Sequence, residues 1–185
     1  MTPTLFVNAL ESGAKNTISV AIACGVAGVI AGVVTMTGLG QILISAIVSV
    51  AGKRVIIALA LTMLTSIVLG MGVPTTANYI IMATTCAPIL VTGMGVEPIA
   101  AHMFVFYFGI VADITPPVAL AAYAGSAIAK SNPMRTALNA SRLAIAAFII
   151  PYIFALNPVM LLIDVTPTGL ILNVLTAIIG LFGVY

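Results

Sequence analysis

"GIVADITPPVALAA", residues 109–122, decides how this chain folds. It lies in a long apolar stretch, yet holds the carboxylate of Asp113 and the double proline Pro116–Pro117. Neither proline has an amide hydrogen, so the carbonyls of Ala112 and Asp113 lose their ordinary helical donors. An interior proline costs a helix about 3 kcal/mol or more. A charged aspartate at the centre of a bilayer adds about 2.5–3.5 kcal/mol. A segment that combines both needs a ligand or a wet cavity to offset them. The spacing predicts two half-helices, 98–112 and 117–129, meeting at an unwound "DITPP" joint that includes Thr115. Broken helices near the bilayer midplane form the binding sites of many secondary transporters. The plainer alternative is a proline kink in which Asp113 pairs with a neighbour.

The medium follows from composition. Charged residues make up 5% of the 185, against about 25% in an average soluble domain. Hydrophobic residues make up 62%, and the mean hydropathy is +1.30. Six basic and four acidic side chains cannot screen that much apolar surface from water. Several charge-free runs reach the roughly 17–25 residues that cross hydrocarbon as a helix. The fold class expected is therefore an all-α polytopic membrane protein. No positively charged region leads the first apolar run, so no signal peptide is read there. A net charge of +2 without a basic stripe gives no reason to expect nucleic acid. Cys24 and Cys86 lie in apolar runs without metal-ligand spacing and read as small packing thiols.

The rest of the chain divides unevenly. Residues 4–15 read as an interfacial amphipathic helix, 17–36 as a span rich in small residues, and 38–52 as a short arm. Residues 54–93 form two apolar arms around the uncharged "GMGVPTT", 70–76, which reads as the tip of a re-entrant hairpin. Residues 97–130 contain the broken helix, with His102 as a packing or membrane-edge residue. Lys130, Arg135 and Arg142 flank or lie in 131–142 without an acid, which makes that connector cytoplasmic by the positive-inside rule. Counting spans back places Lys53 and Arg54 outside and Lys15 inside. The segment 143–163 returns outward to Asp164, and 168–185 reads as a last span, apparently truncated.

The hairpin tip has its own chemistry. Gly70 and Gly72 allow close approach and unusual backbone angles. Pro74 stops one arm or opens the next, and Thr75 and Thr76 are placed to cap the second arm. That arm's first amides carry partial positive charge, and the last carbonyls of the first arm suit a cation. Asn78 adds an amide that can donate or accept. One loop could thus serve an anion and a cation together.

"GMGVPTTANYIIMATTCAPIL", "HMFVFYFGIVADITPPVALAAYAGSAIA" and "NPMRTALNASRLAIAAFIIPYIFALNP" together resemble the large membrane subunit of tripartite ATP-independent periplasmic (TRAP) transporters, in its fused-permease branch. The resemblance spans roughly residues 5–165. It implies an elevator-type carrier built of two inverted repeats, of which this chain resembles the second. It also implies sodium-coupled import of organic acid anions such as dicarboxylates, delivered by an extracytoplasmic binding protein, without ATP or another cofactor. The sodium and substrate site would take Gly70, Gly72, Pro74, Thr75, Thr76 and Asn78 from the hairpin, and Ala112, Asp113, Thr115, Pro116 and Pro117 from the joint. The first repeat and a small membrane subunit, fused or separate, would be partners in the inner membrane. The alternative function is a non-transporting fragment, channel or scaffold subunit. No HExxH, GxSxG or paired-carboxylate motif points to an enzyme.

Overall fold

A computed structural model describes residues 3–163 and 165–184. Helices α1 to α9 span Pro3–Thr37, Leu39–Ala51, Val55–Gly70, Thr75–Thr85, Pro98–Val111, Leu120–Ile128, Pro133–Leu143, Ile145–Leu156 and Pro167–Val184. The described residues are otherwise turns, 3-10 segments and one π-helical stretch.

The division expected between 4–15 and 17–36 is absent, because α1 runs unbroken across both. Its sequence offers no proline between Pro3 and Thr37, and the exposed Glu11–Lys15 ion pair bridges one helical turn. Cys24 falls among positions whose side chains lie outside the described set. Gly38, at φ 68°, turns the chain from α1 into α2. Gly52, at φ 59°, does the same between α2 and α3.

The two arms read around "GMGVPTT" are α3 and a composite second arm. That arm consists of α4, a turn at Cys86 and the π-helical Ile89–Gly93. At 1.5 Å per residue the 16 residues of α3 rise about 24 Å, short of a hydrocarbon core of about 30 Å. Thr75–Gly93 totals 19 residues and is long and apolar enough to cross. Arm length by itself therefore does not separate a re-entrant hairpin from a pair of spans.

The core is where both arms pack on α5. Leu59, Met82, Leu90, Phe104, Val105 and Phe108 are completely buried there. Tyr152 of α8 stacks edge-on against Phe104 and Phe108, with ring centroids 5.3 and 6.0 Å apart. Such aromatic pairs contribute about 0.5–1.5 kcal/mol each beyond area burial. This matters in a bilayer, where apolar burial between helices gives little net gain and close packing replaces it. Away from this core large apolar side chains face outward, with Met36 90% and Ile128 86% exposed.

Two expected boundaries shift. The second half of the broken helix opens at Leu120 rather than 117, leaving a wider break over residues 112–119. Pro117 is set in a turn whose carbonyl accepts the Tyr123 hydroxyl, and Ala119 adopts a left-handed conformation at φ 36°. The span expected over 143–163 ends as a helix at Leu156. Pro158 disfavours helical geometry at Asn157, whose side chain instead accepts from the Val159 amide. Upstream, α7 and α8 follow one another with only a turn at Ala144 between them. Asp164, read as the outer end of that span, lies outside the described residues.

Candidate functional site

Beyond the apolar core, three residues make a tight junction between the hairpin and the broken helix. Gly70 ends α3, Asn78 stands one turn into α4, and Gly109 lies near the end of α5. The Asn78 side-chain amide donates to the Gly109 carbonyl at 3.0 Å, buried from solvent. The contact is tight on every side. A methyl group on Gly109 would sit 2.7 Å from Asn78 Nδ2. One on Gly70 would sit 2.8 Å from the same nitrogen, 3.1 Å from Ala112 Cβ and 3.2 Å from the Gly109 carbonyl. Glycine is therefore required at both positions for the helices to approach so closely.

Because Asn78 Nδ2 is committed to Gly109, its Oδ1 faces the other way. It is buried and has no hydrogen-bond partner among the described residues. Thr62 Oγ1 and Ser66 Oγ of α3 are in the same condition. Thr62, Ser66 and Gly70 recur every four residues, so they share the α3 face that ends at this junction. A buried polar atom left without a partner costs about 1–3 kcal/mol.

The hairpin tip is built differently from its sequence expectation. Pro74 occupies the N-cap of α4, and no side chain caps that helix. Thr75 and Thr76 lie in its first turn with exposed side chains, so neither is the cap. Proline at the cap position brings no side-chain acceptor, so no hydroxyl there accepts from a first-turn amide. The first amide to find a backbone acceptor is that of Asn78, which donates to Pro74 O at 2.9 Å. The amides of Thr75, Thr76 and Ala77 have no backbone acceptor outside the helix among the described residues; Thr75 and Thr76 are exposed, whereas Ala77 is buried. Gly72 supplies the left-handed turn at φ 75° and has open space around it.

At the joint, Ala112 to Ile114 tighten into a 3-10 turn. This corrects the expectation for Ala112, whose carbonyl accepts from the Thr115 amide at 3.2 Å. The carbonyl of Asp113 receives no hydrogen bond among the described residues, as the missing proline donors require. Thr115 Oγ1 donates back to the Val111 carbonyl at 2.7 Å. The Ile114 carbonyl accepts from Ser141 Oγ at 3.0 Å, which ties the joint to α7. Pro116 is half-buried and Pro117 exposed, joined by a cis peptide. The Asp113 carboxylate is half-buried and forms no ion pair among the described residues.

The structure thus brings Gly70, Asn78 and Ala112 together, with Asp113 following directly in the chain. No hydrogen bond links Gly72, Pro74, Thr75 or Thr76 to Thr115, Pro116 or Pro117. Gly109 was missed by the sequence reading, although a glycine inside the apolar helix "FYFGIV" is itself a sign of close packing. His102 is a packing residue, with Tyr79 OH 3.0 Å from its Nδ1.

Among the described residues the chain is helical, and two helices, Thr75–Gly93 and Pro133–Leu156, are long and apolar enough to cross a membrane. Comparison with protein families narrows this: the model of the tripartite ATP-independent periplasmic transporter, DctM component, matches residues 3–168. The chain belongs to that family. DctM components act in general beside a periplasmic binding protein and a small membrane component. No curated protein and no solved structure matches the chain.

Proposed function

We propose that this chain carries one sodium and substrate site of a secondary transporter that imports organic acid anions without ATP. The observation that supports this best is the junction of Gly70, Asn78 and Gly109, which fixes the end of one hairpin arm against the broken helix. The cation would take its oxygens from the Asp113 carbonyl, which receives no hydrogen bond among the described residues, from the Asp113 carboxylate, and from the unpartnered Asn78 Oδ1. The amides of the exposed Thr75 and Thr76 would meet the anion at the N-terminus of α4. Neither group needs an arginine side chain, since carbonyls and a carboxylate serve the cation and amides the anion.

In this reading α3 and the second arm form a re-entrant hairpin, and α5 with α6 its broken-helix partner, as one repeat of an elevator-type carrier of the fused-permease branch. The other repeat and the small membrane component would complete it, and an extracytoplasmic binding protein would deliver a dicarboxylate or similar acid. Lys130, Arg135 and Arg142 would face the cytoplasm and Lys53–Arg54 the periplasm. The test is uptake of labelled organic acid anions, C4-dicarboxylates among them, by proteoliposomes holding the assembled transporter and its binding protein. An inward sodium gradient should drive uptake in the absence of ATP. Uptake that is indifferent to sodium, or that requires ATP, would contradict the proposal.

A further inference from the structure

Helix α7 has two faces with different tasks. Its inner face carries Ala137, buried against Ala119 and Ala122 of the broken helix, and Ser141, which donates to the Ile114 carbonyl. Its outer face carries Arg135, Leu138, Asn139 and Arg142, all exposed, which line a cleft of about 180 Å³. Asn139 lies one helical turn from each arginine, so both guanidinium groups can reach over it. Neither arginine has a carboxylate partner among the described residues. Lys15–Glu11, far along the chain, is the ion pair found there.

We propose that this outer face binds the phosphate of an anionic phospholipid, held between Arg135 and Arg142. Charge complementarity is the first argument: two planar guanidinium forks and one amide offer several donors to phosphate oxygens. The second is depth. Arg142 ends the charged part of the helix, and from Leu143 the chain continues into the wholly apolar α8. A residue at that transition stands where lipid headgroups do. The third is the mixture of chemistry on one surface. Met134, Leu138 and Leu143 are 47%, 50% and 68% exposed beside the arginines, and suit acyl chains rather than water.

The test uses the 185-residue chain in a neutral detergent, with lipid retention read by native mass spectrometry. Phosphatidylglycerol should be retained in preference to phosphatidylcholine. Arg135→Gln/Arg142→Gln should weaken that retention about thirtyfold, the attraction of two basic side chains to anionic lipid. The charge-matched Lys53→Gln/Arg54→Gln should leave it unchanged. Arg135→Lys/Arg142→Lys, which keeps the charge and guards against misfolding, should retain the preference with a several-fold loss. Inorganic phosphate at millimolar concentration should not displace the lipid. Displacement by phosphate would assign the site to the free ion and overturn the lipid. Equal loss in the two glutamine variants, or no preference over phosphatidylcholine, would also overturn it. So would disappearance of lipid retention when the permease binds its partner components, which would assign α7 to a protein contact.

Discussion

Asn78 holds the hairpin to the broken helix: its amide donates to the Gly109 carbonyl at 3.0 Å across 31 positions of sequence. The two residues belong to elements that the sequence identifies separately, one by its glycine-proline-threonine tip and the other by its prolines. Their bond is made at helix sides rather than at the tip or the joint. It leaves the loop at 71–74 free while anchoring α4 at its second turn.

If that bond and its close packing are the anchor, Asn78→Ala should lower stability by about 1–3 kcal/mol, the usual cost of breaking a buried hydrogen bond. Gly109→Ala should also destabilise, because the new methyl would sit 2.7 Å from Asn78 Nδ2. The double variant should lose less than the sum, since removing the Asn78 side chain makes room for the methyl. Thermal unfolding of the three variants in detergent measures this. Additive losses would show that the two residues do not share a contact.

Gly70 and Gly72 should separate by mechanism. Gly70→Ala meets Asn78, Ala112 and the Gly109 backbone, so relief would require the helices to part. Gly72→Ala has space but must adopt φ near 75°, a left-handed cost of about 1–2 kcal/mol. Asn at position 72 tolerates that region and should recover part of the loss, whereas Asn at 70 should be worse than Ala. Melting temperatures of the four variants decide it.

Much of the architecture was legible because a bilayer writes it in charge and proline. Helix ends at "GMGVPTT" and at "DITPP" could be read from glycine and proline alone. What escaped was local backbone geometry. Three-ten tightening at Ala112 returns a partner to a carbonyl that proline spacing alone leaves free. The left-handed Ala119 delays α6 by three residues beyond Pro117, and nothing in "VALAA" announces it. Gly109 was missed for a different reason: its role is set by a side chain 31 residues away.

Membrane depth at the tip is open to direct labelling. In a Cys24→Ala/Cys86→Ala background, Val73→Cys should react slowly with an impermeant thiol reagent from either side of the membrane. Sodium and substrate should slow it further in the assembled transporter. Fast reaction from the cytoplasm, unaffected by ligand, would make residues 71–74 an ordinary loop between two spans.

Orientation is tested in the same background. Lys53→Cys should label in whole cells, whereas Ser131→Cys should label only after the membrane is opened. Lys53 is preferable to Gly52, whose φ of 59° would strain a cysteine. Labelling at 131 but not at 53 would invert the topology.

Sodium-dependent thermal stabilisation of the chain is the measurement closest to the central claim, that the hairpin end and the "DITPP" joint share one cation. At a sodium concentration about ten times Kd the linkage contribution is about 1.4 kcal/mol. For a chain of this size that corresponds to a rise of about 3–6 °C over the same concentration of potassium. Asp113→Asn should reduce the rise while leaving the fold intact. Pro116→Ala/Pro117→Ala should abolish it and raise stability without sodium, because restored amides would reclaim the Asp113 carbonyl. A sodium rise of equal size in the wild type and the double-proline variant, or none in the wild type, would contradict the site and leave the joint a structural kink.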